Sequence, residues 1–255
     1  MRKLLRFLFV GLLFSFGNCF CNNLEQAVEI YAKAEASADH VERQTLFNEA
    51  LKTFLLEAEA HPSGKLFHDI GNIYAYLGDY GCAIAFYRKA EQLIPRDPIL
   101  HQNLEKVIDF AGVNGYQIEY PFIDSICLRQ LSPLERELLL LGMAAFSLVL
   151  FSLNLWIPTT GFKWFSRFAI ACTLLLILVI ALYHFFMPPR AVVVKAAGLR
   201  ITQVSPSAAK FALHPGEMVE VLGMEETQGL VRVRTATSVT GYLPKEVICI
   251  EVFPL

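Results

Sequence analysis

The chain has 255 residues, of which 55% are hydrophobic, and its formal net charge at pH 7 is −2. This near-neutral balance argues against a nucleic-acid partner, because proteins that bind nucleic acid normally present a basic face. Two long apolar runs leave polar segments of about 110 and about 65 residues, which suit small domains but are too short for most catalytic folds.

The N-terminus has the composition of a secretory signal peptide. Residues 1–3 (MRK) are basic at two positions, and a short apolar run follows at 7–16. This run is too short to cross a bilayer comfortably, so we expect residues 1–21 to be a cleaved signal. An uncleaved anchor and a lipoprotein signal are the alternatives. Lipidation fits poorly, because Cys19 and Cys21 each follow a residue that is not small.

Residues 64–95 (GKLFHDIGNIYAYLGDYGCAIAFYRKAEQLIP) have the pattern of two helices joined by a tight turn. The small residues Gly71 and Ala83 predict a close approach of the two helices. Gly78 suits the left-handed conformation that ends a helix, and Asp79 suits the cap of the next one. The pattern resembles a tetratricopeptide (TPR) repeat, whose characteristic positions are occupied here by Phe67, Ile70, Gly71, Tyr74, Gly78, Ala83, Tyr87, Ala90 and Pro95.

A single repeat cannot bury both of its faces, so neighbouring helices are required. Residues 47–62 resemble the second helix of a preceding repeat, whose first helix would be residues 24–38. Residues 97–110 fit the first helix of a following repeat and would act as a cap. We therefore expect an all-α TPR domain of about two and a half repeats over residues 22–131.

The TPR resemblance implies a concave face, built from the first helices, that binds extended peptides or partner proteins. Asn72 and Asn103 fall where some relatives hold a terminal carboxylate, although His68 replaces the usual lysine. Polar positions that only contact solvent are the alternative interpretation. The residues expected on this partner-binding face are Lys65, His68, Asn72, Tyr76, Gln102, Asn103 and Lys106.

Two apolar runs follow, each long enough to cross a membrane. Residues 138–157 contain no charged side chain, and residues 168–187 contain no Asp, Glu, Lys or Arg, with His184 as the only basic side chain. About 20 helical residues at 1.5 Å per residue cross roughly 30 Å of hydrocarbon. We expect transmembrane helices at 134–157 and 168–187. Two buried helices of a soluble domain are the disfavoured alternative, because charged residues usually interrupt such runs.

The segment between the two runs predicts the orientation in the membrane. Residues 158–167 contain Lys163 and Arg167 and no acidic residue, which is typical of a cytoplasmic loop. Trp156 and Trp164 flank this loop, as aromatic residues do at membrane interfaces. Together with a signal peptide, this predicts two membrane spans with both polar domains in the periplasm or an equivalent exterior compartment.

Residues 190–255, which follow a Pro-Pro pair, predict a small all-β barrel or sandwich. Short runs of β-branched residues alternate there with turn residues. Residues 211–222 (FALHPGEMVEVL) and 241–243 (GYL) resemble motifs of bacterial SH3 domains, although Leu230 stands where tryptophan is usual. The resemblance implies an SH3-like barrel that binds cell-wall peptide. A structural or protein-docking barrel is the alternative.

No catalytic or metal-binding pattern is found in the sequence. The six histidines lack metal-ligand spacing, and there is no phosphate-binding glycine loop, nucleophile motif or Cys-x-x-Cys. We therefore expect no metal, no cofactor and no enzymatic activity. Of the cysteines on the expected outer side, Cys82 and Cys127 could form a disulfide, while free thiols at Cys82, Cys127 and Cys249 are the alternative.

The order of signal, TPR repeats, two-helix hairpin and SH3-like domain resembles the TPR-containing membrane proteins of bacterial aerotolerance operons (BatE-like). That resemblance implies a non-enzymatic inner-membrane scaffold that works beside membrane-anchored von Willebrand A-domain proteins. The second hypothesis is a cell-wall receptor, in which the SH3-like domain binds peptidoglycan peptides. An enzyme would need thiol redox chemistry, for instance at Cys82 and Cys127.

Overall fold

The computed structural model describes residues 24–118, 130–156, 159–186, 188–200, 209–225 and 229–250. Within these ranges the chain forms seven α-helices and one sheet of seven antiparallel strands. The prediction of a helical region, two long apolar helices and a β-region, in that order, is confirmed. The expected signal segment and Cys127 lie outside the described residues.

Five helices make up the helical array that precedes the apolar helices. Those from α2 onward each begin at a short polar side chain that accepts a backbone N–H, as in Asp39 Oδ1 to Val41 N at 2.9 Å. Such caps typically contribute about 1 kcal/mol each. The helices are α1 at residues 24–36, α2 His40–Ala60, α3 Gly64–Tyr76, α4 Tyr80–Leu93 and α5 Pro98–Ala111.

The tightest packing in the array is between α3 and α4. The turn at 77–79 joins them, and within it Gly78 has a φ of 80°. Gly71 lies against the ring of Tyr87, where an added Cβ would be 2.6 Å from Tyr87 Cδ1. Among the positions singled out by the sequence pattern, Phe67, Ile70, Gly71, Ala83, Tyr87 and Ala90 are buried, Tyr74 and Pro95 are half-buried, and Gly78 is exposed.

The two apolar helices, α6 (Pro133–Trp156) and α7 (Thr160–Phe186), form a hairpin. Their most apolar segments have mean hydropathies of 1.8 and 2.2, and both are long enough to cross a membrane. Ser147 and Thr173 face each other, with their hydroxyl oxygens 2.8 Å apart. Because α7 begins at Thr160, residues 160–167 of the predicted loop are helical, and the connection is shorter than expected.

Glu135 joins the hairpin to the helical array. Its carboxylate accepts the Ser132 N–H at 2.9 Å, while Ser132 Oγ accepts the Glu135 N–H at 3.3 Å, which caps the start of α6. The same carboxylate pairs with Arg96 in the turn between α4 and α5. The array is therefore held close to the first apolar helix.

The sheet has the strand order β3-β2-β6-β5-β4-β1-β7. Its inner face carries its own apolar core, which includes Val193, Leu199, Val219, Val233 and Leu243. Register shifts at 199/200 and 221/223 mark bulges, with Lys210 of β3 and Leu222 of β4 as the extra residues. The strands are β1 Arg190–Val193, β2 Ala197–Arg200, β3 Ala209–Leu213, β4 Met218–Glu225, β5 Leu230–Thr235, β6 Thr240–Pro244 and β7 Ile248–Ile250.

One end of the outer face of the sheet packs on the helical array. Val192 and Met218 are buried in the core of the array rather than in that of the sheet. The approach is close, since a Cβ on Gly81 would lie 2.8 Å from Val194 O, and one on Gly216 would lie 2.7 Å from Ile84 Cδ1. The sheet thus buries an apolar surface of α4, and the sequence pattern did not predict which element would pack there.

A buried polar network crosses the same junction. Arg88 Nη1 donates to Glu91 Oε2 at 2.9 Å, and both residues are buried. Arg88 Nη2 donates to Gln117 Oε1 at 3.2 Å, and Gln117 Nε2 donates to Gly216 O at 3.1 Å. His101 Nδ1 lies 3.4 Å from Glu91 Oε1. The network links α4, the chain that follows α5, and the turn before β4.

Candidate binding face on the helical array

Alternate helices of the array contribute polar side chains to one face, which we call the polar face. It comprises Glu35 from α1, His68, Asp69, Asn72 and Tyr76 from α3, and Asn103 from α5. The sequence-predicted residues His68, Asn72 and Asn103 are brought together here. Lys65, Gln102 and Lys106 are exposed on the same two helices and take no part in the hydrogen bonds among those three.

Hydrogen bonds fix the centre of the polar face. Asn103 Nδ2 lies 3.1 Å from His68 Nε2 and donates to Asn72 Oδ1 at 3.1 Å. The Tyr87 hydroxyl donates to the same Asn72 oxygen at 2.7 Å. Because an amide nitrogen only donates, His68 Nε2 accepts, and the proton of the neutral ring lies on Nδ1.

This arrangement determines what the two asparagines can offer a ligand. Both amide hydrogens of Asn103 are directed to His68 and Asn72, so Asn103 has no hydrogen left for a terminal carboxylate. Within the described residues, Asn72 Nδ2 and Asn103 Oδ1 have no hydrogen-bond partner. A donor next to an acceptor matches the C=O and N–H groups that an extended peptide presents.

An acidic end of the polar face was missed by sequence reasoning. Tyr76 OH donates to Glu35 Oε1 at 3.5 Å. Burial raises the pKa of Asp69 above its ordinary value; His68 and Lys65 oppose the rise, and Glu35 adds to it. Asp69 could have been found from helical spacing, since it lies four residues after Lys65 and seven before Tyr76. Glu35 could not, because α1 lacks the repeat pattern.

Tyr76 provides an aromatic surface beside these acids. Its ring stacks on Phe47 with a centroid distance of 4.9 Å and an interplanar angle of 7°. The residue is nevertheless 57% exposed, so the other side of the ring is open to solvent. An exposed, well-supported tyrosine is a common anchor in protein–protein contacts.

Three of the six cysteines lie in the described part of the chain. Cys82, Cys172 and Cys249 are free thiols there. Burial raises the pKa of Cys82 to about 12, and the nearby Asp79 adds to the rise. No group of three or more histidine, cysteine, aspartate or glutamate residues in these ranges is placed to hold a metal ion.

Comparison with known proteins identifies no relative of this chain. No family model matches the chain, and no curated protein or solved structure matches it either. A function is therefore inferred from the residues and their geometry.

Proposed function

We propose that this chain is a membrane-anchored scaffold whose polar face binds an extended segment of a partner protein. The observation that carries the proposal is that, within the described residues, the amide donor of Asn72 and the amide acceptor of Asn103 lack hydrogen-bond partners, at the centre of a face that also exposes the Tyr76 ring. A peptide backbone would satisfy both amide groups. The positive charges of Lys65 and Lys106 would contact the partner's side chains.

The helical array is, in this proposal, a TPR-like domain. The close contact between Gly71 and Tyr87 and the left-handed Gly78 in the turn support this assignment. The sheet is proposed to be an SH3-like barrel, and its separate apolar core supports that assignment. The BatE-like resemblance suggests membrane-anchored von Willebrand A-domain proteins as partners.

The proposed location is a bacterial inner membrane, with both polar domains in the periplasm. The contact between α4 and the sheet supports a common side, because segments from either side of the hairpin touch each other. Two spans return the chain to the side from which it entered. Lys163 and Arg167 near the hairpin turn favour the cytoplasm for that turn.

The test is a crosslinking affinity purification of the intact, detergent-solubilised chain. The double variant Lys65→Glu and Lys106→Glu reverses two exposed charges without touching the hydrogen bonds among His68, Asn72 and Asn103. We expect it to lose most of the captured partner. Lys52→Glu, an exposed change on α2, is the matched control and should retain the partner.

The partner list decides between this function and its alternatives. Capture of the same proteins by the wild type and the double variant would refute binding at the polar face. Recovery of cell-wall fragments without a protein partner would instead favour a cell-wall receptor.

A further inference from the structure

The outer face of the sheet carries a row of arginine and tyrosine side chains away from the helical array. Arg200 of β2 is in register with Tyr242 of β6, and Tyr242 is in register with Arg232 of β5. Arg232 is exposed, while Arg200 and Tyr242 are half-buried. Together with Arg234, also exposed and two residues further along β5, they form what we call the basic sheet face.

The alternation of side chains places all four residues of the basic sheet face on one side. In β5, Val231 and Val233 are buried in the core of the sheet, whereas the arginines between and after them are exposed. In β6, Leu243 is buried next to Tyr242. These side chains therefore point away from the inner core, on the same face as Val192 and Met218 at the other end of the sheet.

The described side chains leave this face with an excess of positive charge. Arg234 Nη1 pairs with Glu220 Oε2 at 3.2 Å, and Arg190 is in register with Glu220. Within the described part of the chain, no ion pair involves Arg200 or Arg232. Among the described side chains, two guanidinium groups thus flank Tyr242 outside any ion pair.

The position of the sheet relative to α7 suggests what covers this face. Helix α7 ends at Phe186 and β1 begins at Arg190, so four Cα steps separate them by at most about 14 Å. Arg190, Glu220 and Arg234 lie at one level across three strands. Arg232 lies two residues, or about 7 Å, from this level, and the displacement is toward the end of β1 that is connected to α7.

We propose that the basic sheet face docks on anionic phospholipid headgroups of the membrane that holds α6 and α7. Basic side chains near an anionic bilayer surface each add an attraction of a few-fold in affinity, and tyrosine is enriched at the same depth. The short connection to α7 keeps the sheet within reach of the membrane surface. The inference rests on the proposed membrane anchoring but not on the polar face.

The test uses the full chain in nanodiscs of phosphatidylcholine alone or with about 30% phosphatidylglycerol, at low salt because anionic attraction is screened. Phenylglyoxal modification of each arginine is followed by mass spectrometry. We expect Arg200, Arg232 and Arg234 to react about five-fold more slowly in the anionic discs, and salt at about 0.5 M to remove the difference. Arg43, on α2, should react equally in both.

A variant and two further outcomes keep the proposal falsifiable. Arg200→Gln with Arg232→Gln should abolish the protection of Arg234 by anionic lipid, whereas Arg43→Gln should preserve it. If wild-type protein inserts and its arginines react at equal rates in both kinds of disc, lipid docking would be refuted, but the membrane anchoring would not. Protection by an added acidic peptide in phosphatidylcholine discs, without any effect of lipid, would instead identify a protein-binding surface. Failure to insert would refute the anchoring itself.

Discussion

A Cβ atom added at Gly71 would lie 2.6 Å from two carbons of the Tyr87 ring, closer than non-bonded carbons approach. Glycine within a helix normally costs about 0.5–1 kcal/mol relative to alanine, so Gly71→Ala would usually stabilise a helix. Here we expect the opposite sign, a loss of about 1–3 kcal/mol from overpacking. The loss of stability would be measured by thermal melting in detergent, with limited proteolysis as the probe of unfolding.

The matched control is Gly115→Ala, because nothing lies within 4 Å of a Cβ at that position. It should leave the melting temperature almost unchanged. Equal melting temperatures for Gly71→Ala and the wild type would mean that α3 and α4 are not held at this spacing.

Cys82 should be an unreactive thiol in the folded chain. Its pKa is raised to about 12 by burial and by Asp79, and the thiolate is the form that attacks electrophiles. We expect slow alkylation by N-ethylmaleimide at pH 8 and fast alkylation after denaturation. Because the folded pKa exceeds the ordinary value of 9.0, this thiol's contribution to stability is present below pH 9 and lost as the pH rises toward 12.

Mass spectrometry of the alkylated peptides would measure this reactivity, and Cys82→Ser should flatten part of the alkaline loss of stability. Rapid labelling of Cys82 at pH 8 in folded protein would contradict the raised pKa of this half-buried thiol.

The centre of the polar face could be predicted from the sequence only in part. His68 and Asn72 lie four residues apart on one helix, so their shared face follows from helical periodicity. The sequence pattern does not reveal that Asn103 donates both amide hydrogens inward, because that depends on the distance between α3 and α5. Nor does it reveal Glu35, since the helix that carries it has no repeat pattern.

At the scale of elements, the buried pair of Arg88 and Glu91 on α4 is connected through Gln117 to the turn before β4. Arg88→Met would leave the Glu91 carboxylate buried without this partner, and breaking such a pair typically costs about 3–5 kcal/mol. Because Arg88 also reaches Gly216 through Gln117, we expect faster hydrogen exchange in β1 and β4 as well. Melting temperature and hydrogen-exchange mass spectrometry would measure both effects.

The double variant Arg88→Met with Glu91→Leu separates charge burial from packing. It removes both charges, and we expect it to recover much of the stability lost in Arg88→Met. A double variant as unstable as the single one would show that the packing of the arginine side chain, rather than the unpaired carboxylate, sets the cost.

The junction between the helices and the sheet was the least predictable part of the fold. Both faces of β1 are apolar, with Val193 in the core of the sheet and Val192 in the core of the array. A short apolar run indicates burial but not the identity of the element that buries it. The start of α7 was missed for a different reason, because residues 160–167 are polar enough to predict a loop.

For the whole molecule, the contact between α4 and the sheet restricts how the chain can cross a membrane. Residues before α6 and residues after α7 touch at Gly81 and Val194, so they must lie on the same side. An even number of spans satisfies this condition. If only one of the two helices crossed the bilayer, the buried Val192 and Met218 would be separated from the array, and the core of the array would be exposed to water.

Cysteine accessibility tests this arrangement in a background in which all six native cysteines are replaced. Leu56→Cys on α2 and Thr237→Cys between β5 and β6 are exposed positions on the two polar domains. We expect a membrane-impermeant maleimide to label both equally in intact spheroplasts. Thr159→Cys in the hairpin turn should react only after permeabilisation. Labelling of one polar domain without the other would contradict both the two-span hairpin and the contact between the array and the sheet.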